Sequence, residues 1–298
     1  MILSASRRTD IPCYYSEWFF NRLKEGYVLC SNPMNRKQVR KLSLSTDEID
    51  CIVFWTKDPL PMMERLPIIT SMGYCYYFQF TLNPYDRSLE QNLRKKKDII
   101  TTFKKLSDQL GKEKVLWRYD PIIINQELTI SYHEENFAKL CRQLQGYTDI
   151  CTISFVDFYH KLNKSVKDSI LTLITEEQMH QLAYNLSAIA KEHDIELRAC
   201  CEQVDFTKDG IRPAACIDKK VIEHICGHTI PIKKDRNQRP CCGCLQSIDV
   251  GIYNTCKNGC VYCYANHSEA SINNNLRRHD PSADILISNL YKKRNGDD

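Results

Sequence analysis

Residues 51–59 read "CIVFWTKDP": six residues that are apolar, aromatic or β-branched, broken abruptly by Lys57, Asp58 and Pro59. A strand that does not alternate with polar residues is one covered on both faces, as in a parallel sheet under helices. Similar runs recur at 2–6 ("ILSAS"), 76–82 ("YYFQFTL"), 114–124 ("KVLWRYDPIII"), 151–156 ("CTISFV") and 196–200 ("ELRAC"). Between them lie stretches with helical spacing, "EWFFNRLKEG", "NLRKKKDIITTFKKLSDQLG", "YHEENFAKLCRQLQG" and "TEEQMHQLAYNLSAIAKEHD". In the last, Thr175 is a plausible N-cap ahead of Glu176 and Glu177. Strands alternating with helices predict an α/β fold with a parallel sheet and right-handed crossovers. A full or partial (β/α) barrel is the first expectation, an open doubly wound sheet the second. Polar clusters just past the strands, "SRRTD", "TKDP", "TLNPYDR", "RYDP" and "VDFYHK", favour the barrel, whose sites gather at the carboxyl ends of its strands. No G-x-G-x-x-G follows the first strand, which argues against a nicotinamide enzyme.

The chain has 298 residues, 43% hydrophobic and 26% charged, with a formal charge of +4. That composition is of an ordinary globular protein, and the small charge does not by itself call for a polyanionic partner. "MILSASRRTDIP" at the start fits neither a secretory nor a transit peptide, and no apolar run is long enough to span a membrane. The expectation is a cytoplasmic protein, monomeric and without membrane contact. Residues 1–226 would form the barrel core. Residues 227–298 would form a cysteine-rich segment that completes it, entered through the basic connection "GHTIPIKKDRNQRP" (227–240) and ending in a polar tail at 289–298.

Sixteen cysteines are anomalous in a reducing compartment, where clustered cysteines are metal ligands or catalytic groups more often than disulfides. Cys13, Cys30, Cys51, Cys75, Cys141 and Cys151 are scattered and read as structural. The other ten lie between 200 and 263. Cys256, Cys260 and Cys263 are spaced C-x3-C-x2-C in "CKNGCVYCYAN", a compact trio rather than the paired template of structural zinc. Three thiolates on one loop can hold three irons of a [4Fe–4S] cube and leave the fourth open.

This spacing, with Tyr262 before the last cysteine, resembles the cluster motif of the radical S-adenosylmethionine (radical SAM) superfamily, and "GCVYCYAN" is especially similar to its spore photoproduct lyase branch. The resemblance implies a barrel in which the open iron chelates SAM and an electron from the cluster cleaves it to a 5′-deoxyadenosyl radical. In most relatives the motif follows the first strand; here it stands near the other end of the chain. A circular permutation would account for this, with "IDVGIYN" (248–254) as the strand before the cluster loop and the amino-terminal strand next round the barrel. "RRTDIP", "WTKDP" and "FTLN…LE" are similar to further segments of that branch in the permuted order. The arrangement resembles a bacterial family with a carboxyl-terminal cluster motif.

The resemblance further implies that Lys57 faces the SAM carboxylate, that Thr81 and Glu90 contact its ribose or amino group, and that Tyr262 and Tyr264 either pack on the adenine or cover the cluster. Arg118 and Asp120, following an apolar strand, are candidates for a catalytic role in the pocket, although they could simply pair with each other. Arg7, Arg8 and Asp10 are candidates beside the cluster loop. Cys13, Tyr119 and Tyr159 are candidate hydrogen donors. Of the remaining cysteines, Cys200, Cys216, Cys242 and Cys244 are chosen as a second all-thiolate site for another [4Fe–4S] cluster or for zinc, with Cys201 and Cys241 as adjacent rivals.

The functional expectation is a radical SAM enzyme fed by flavodoxin or ferredoxin and acting on a small molecule, peptide or nucleic acid. The alternative is a zinc-bearing nucleic-acid module on an inert barrel, with "KKDRNQRP" and "LRRHD" on phosphates. An electron carrier would hardly need so large a barrel.

Overall fold

A computed structural model describes residues 1–33, 35, 37–156 and 174–288. Tyr159, the polar cluster after residue 156 and the expected tail at 289–298 lie outside the described residues.

Eight strands form one parallel sheet: β1 (Ile2–Ala5), β4 (Cys51–Thr56), β5 (Tyr76–Thr81), β6 (Val115–Ile122), β7 (Ile150–Phe155), β8 (Glu196–Cys200), β9 (Arg212–Ala214) and β10 (Ser247–Asp249), in the order β10-β1-β4-β5-β6-β7-β8-β9. β2 (Tyr27–Ser31) and β3 (Val39–Ser43) form a separate antiparallel pair that strand–helix alternation did not announce. The edge strands β9 and β10 share no ladder among the described residues, so the sheet does not close into a full barrel. Ser247–Asp249 is the part of "IDVGIYN" and its surroundings that pairs, lying parallel to β1 with Ile2 opposite Ser247 and Ser4 opposite Asp249. The carboxyl-terminal region therefore contributes an edge strand beside β1.

Long helices, including Lys96–Leu110, Ile130–Leu144 and Glu176–Glu192, fall where the sequence places them. Thr175 caps the last one, with its side chain accepting from Gln178 N. Alternate residues of a strand face opposite ways. Phe54, Phe78, Phe80, Trp117 and Ile153 join the main core with helical residues such as Trp18, Phe103, Phe137 and Leu186. Ile2, Cys51, Val53, Tyr77 and Leu116 instead pack with Cys216, Ile217, Ile222, Ile230, Cys244 and Leu245. A covering segment that starts at Cys216, ahead of the expected boundary at 227, and runs to Leu245 thus packs on the sheet face that the long helices leave. That is why the strands read as continuous apolar runs.

Candidate functional site

The carboxyl ends of the strands open into a cavity of about 320 Å³. Its wall begins where β1 and β10 end. Asp249 accepts hydrogen bonds from Ser4 Oγ at 3.0 Å, Ser6 Oγ at 2.5 Å, Arg7 N at 2.8 Å and Gly251 N at 2.9 Å. One carboxylate therefore closes the ends of two strands that are nearly the whole chain apart in sequence. Gly251 is needed there, since a Cβ would lie 2.0 Å from Ser6 Oγ.

The cysteine loop docks next. Residues 258–261 run antiparallel to 89–92: Val261 N donates to Leu89 O at 2.9 Å and Asn92 N to Asn258 O at 3.1 Å, with Glu90 paired to Cys260. Gly259 makes the bend at φ 66°, a left-handed conformation that costs other residues energy. Further bonds hold the loop's exit: Asn266 Nδ2 to Cys256 O at 2.8 Å and Ala265 N to Cys263 Sγ at 3.3 Å. Cys256, Cys260 and Cys263 all line the cavity. Burial pushes the Cys256 and Cys263 thiols up and takes Cys260 to about 12, although Lys57 opposes the shift at Cys260. Thiols so placed ionise when a cation takes the proton's place. Their sulfurs also do not crowd to single-ion spacing. Among the described residues, the group whose sulfurs all fall within 4.8 Å of one another is a different trio, Cys51, Cys75 and Cys226. Tetrahedral zinc needs sulfurs about 4 Å apart, given Zn–S bonds of about 2.3 Å. The wider loop suits a polynuclear cluster.

Lys57, Glu90 and Tyr262, singled out on three distant segments, come together beside this loop. Lys57 Nζ donates to Glu90 Oε1 at 2.7 Å and to Tyr262 OH at 3.0 Å; Tyr262 OH and Lys96 Nζ also donate to Glu90. Burial alone would raise Glu90 and lower Lys57. The ion pairs outweigh it, holding Glu90 below and Lys57 above their ordinary values. Lys57 and Tyr262 line the cavity, whereas Glu90 is buried behind them at 1% exposure. Glu90 therefore holds Lys57 and Tyr262 in place. Two lysines against one carboxylate leave this corner net positive. Lys96, part of a run that reads as solvated surface, gave no sequence signal.

Asp10 is also buried, and it accepts from Cys13 N at 3.1 Å, Lys57 N at 2.8 Å and Asn258 Nδ2 at 3.1 Å. It joins the turn after β1, the end of β4 and the cysteine loop. Desolvation raises its pKa to about 6. Arg8 Nη1 donates to Gly251 O at 3.2 Å. Tyr264 lines the cavity and donates to Arg7 O at 2.7 Å, while Thr81 lines the same cavity at the end of β5.

Arg118 and Asp120 do pair, through Nε at 3.0 Å, but Arg118 also donates from Nη1 to Cys216 Sγ at 2.9 Å. Arg118 and Arg7 both stand over the Trp55 ring, at 5.3 and 5.1 Å. Cys216 Sγ is 3.0 Å from Cys200 Sγ, and Ile217 N donates to Cys244 Sγ at 3.5 Å. Hydrogen bonds from Cys200 and Cys244, with help from Arg118 and Arg7, hold the Cys216 thiol well down; a bond from Cys244 takes Cys242 to about 6. Cys200, Cys216, Cys242 and Cys244 thus form one connected group on the cavity wall. The rivals Cys201 and Cys241 pair with each other, sulfurs 2.6 Å apart.

Three expectations are corrected. Tyr119 lies in the helical core, fully buried and bonded to His133 Nδ1 at 2.7 Å, so it does not face the cavity. Cys13 sits behind Asp10 and is not among the residues lining the cavity. Cys51 and Cys75 are not scattered, since their sulfurs lie within 4.8 Å of each other and of that of Cys226.

A family model described as "Domain of unknown function (DUF1848)" matches residues 2–265, a span that takes in every strand and the whole cysteine loop. The chain belongs to the DUF1848 family. The match is to that family and not to a radical SAM family model. No curated protein matches the chain significantly. Among the described residues no helix is long and apolar enough to cross a membrane.

Proposed function

We propose that this DUF1848 protein is a radical SAM enzyme on a circularly permuted, partial (β/α) barrel, with Cys256, Cys260 and Cys263 as ligands of a [4Fe–4S] cluster. The observation that carries the reading is one convergence. The three cysteines, the Lys57–Glu90–Tyr262 group, and Thr81 and Tyr264 line or back a single cavity at the carboxyl ends of a parallel sheet. When bound, the cluster supplies the electron that cleaves SAM.

The chain's own residues supply placement. The net positive corner of Lys57 and Lys96 around Glu90 suits the carboxylate of SAM and the anionic charge of thiolate-bound iron. Tyr262, fixed by Glu90 and Lys57, offers a ring against the adenine, and Tyr264 offers a second at the more open side. Arg118 and Asp120 stand across the cavity with Ser154 Oγ on Asp120, in position to meet a substrate. Cys200, Cys216, Cys242 and Cys244 are proposed to hold a second [4Fe–4S] cluster or zinc, with Arg118 and Arg7 balancing the thiolate charge. A cavity of this size takes a small molecule or one residue of a peptide or nucleic acid. A flavodoxin or ferredoxin would deliver the electron.

Anaerobic reconstitution with iron, sulfide and dithionite is expected to give protein that releases 5′-deoxyadenosine or methionine from SAM. Adding SAM to the reduced protein should change its electron paramagnetic resonance spectrum, and Cys260→Ala should lose iron and turnover together. Fully loaded protein whose spectrum ignores SAM and which leaves SAM intact would sink the reading. Zinc without iron or sulfide in anaerobically purified protein would point instead to a zinc module.

A further inference from the structure

A second convergence of sulfur lies at the other end of the sheet. Cys51 opens β4, Cys75 immediately precedes β5, and Cys226 is the last residue of the helix Lys219–Cys226. These are the amino ends of β4 and β5, whereas the cavity lies at their carboxyl ends. All three sulfurs lie within 4.8 Å of one another, Cys75 and Cys226 only 2.7 Å apart, and Cys226 Sγ is 3.3 Å from Asp50 O. Cys51 is fully buried, while Cys75 and Cys226 are half-buried, so the group has a solvent side.

We propose that Cys51, Cys75 and Cys226 bind a single thiophilic ion, zinc or copper(I), which pins the helix Lys219–Cys226 across the amino ends of β4 and β5. Thiolates are the ligands such ions prefer, and three sulfurs within 4.8 Å of one another suit one ion, with Cys75 and Cys226 parting from 2.7 Å to about 4 Å to take it. Lys114 and His228 lie near Cys75, cations that would offset part of the thiolate charge. The open side leaves room for a fourth ligand, a water or the exposed His228 two residues beyond Cys226. The same helix follows Cys216 in the covering segment, so an ion here would hold that segment against the sheet. Its role is structural, and it is independent of the reading given to the cavity.

The full chain, purified anaerobically, should be compared with Cys226→Ser and Cys75→Ser for zinc, copper, iron and acid-labile sulfide. Each variant is expected to lose one equivalent of zinc or copper, the analysis saying which, while iron and sulfide stay unchanged. Cobalt titrated into apo-protein should give an intense thiolate-to-metal band that Cys226→Ser lacks. A chelator added to wild-type protein should lower its melting temperature, a result that needs no variant, and should leave that of Cys226→Ser unchanged. Unchanged zinc and copper in both variants would overturn the proposal. Loss of iron and sulfide together would overturn it too, as would a 75–226 disulfide found by mass spectrometry after alkylation without reductant.

Discussion

Glu90 is sealed from water while two lysines and a tyrosine donate to it, so its charge matters more to its neighbours than to solvent. Glu90→Gln keeps the shape and leaves Lys57 and Lys96 uncompensated. Breaking a buried pair from one side costs about 3–5 kcal/mol, and Lys96, at 26% side-chain exposure, can relieve part of that by turning outward. Urea denaturation should therefore show a loss of about 3 kcal/mol, whereas Thr81→Ser at the cavity wall should lose much less. Asp10 gives a pH test. The unfolded chain loses this proton near 3.8 and the folded chain at about 6, so between those values the folded state binds more protons and stability falls as pH rises. The fall is about 3 kcal/mol from pH 4 to 7, with no recovery above that. Denaturation midpoints should show this slope in the wild type and lose it in Asp10→Asn, whose single amide oxygen accepts from Lys57 N or from Cys13 N but not from both.

At the level of elements, two glycines carry the join between the cysteine loop and its surroundings. Gly251→Ala would drive a methyl into Ser6 and disturb the bonds to Asp249. Gly259→Ala would place a Cβ 2.8 Å from Asn92 Nδ2 at a positive φ. Each should cost about 1–3 kcal/mol, and the Gly259 variant should also bind less iron on reconstitution, measured per chain. The strand at 51–56 was legible to the residue, and those at 76–82 and 151–156 to within one, because burial on both faces leaves a nearly unbroken apolar signature; 196–200 was legible too, although it alternates with half-buried Glu196 and Arg198. The long helices were legible from their spacing and from Thr175. β2 and β3 were not, because "YVLCS" and "VRKLS" are short and half-exposed and fit no strand–helix rhythm. In the site, Lys57, Glu90 and Tyr262 were readable only through a motif likeness. The roles of Asn258 and Lys96 were invisible because they come from tertiary contacts alone. The Cys51–Cys75–Cys226 trio was missed for the same reason: its members are far apart in sequence.

At the scale of the molecule, the sheet has an edge strand that comes late in the chain. β10 pairs with β1, and Val250, Ile252, Leu286 and Ile287 pack into the same core as Leu3 and Phe54. A chain ending at Gln246 would leave β1 with an unpaired edge and the core open on that side, and an exposed parallel edge invites association. Such a chain is expected to aggregate on size-exclusion chromatography where the full chain runs as a single species. Ser4 and Asp249, which bond across the ends of β1 and β10, are 245 residues apart. The nascent polypeptide must therefore hold β1 without this neighbour while everything between them is synthesised, and the cysteine loop can dock beside β1 only after that.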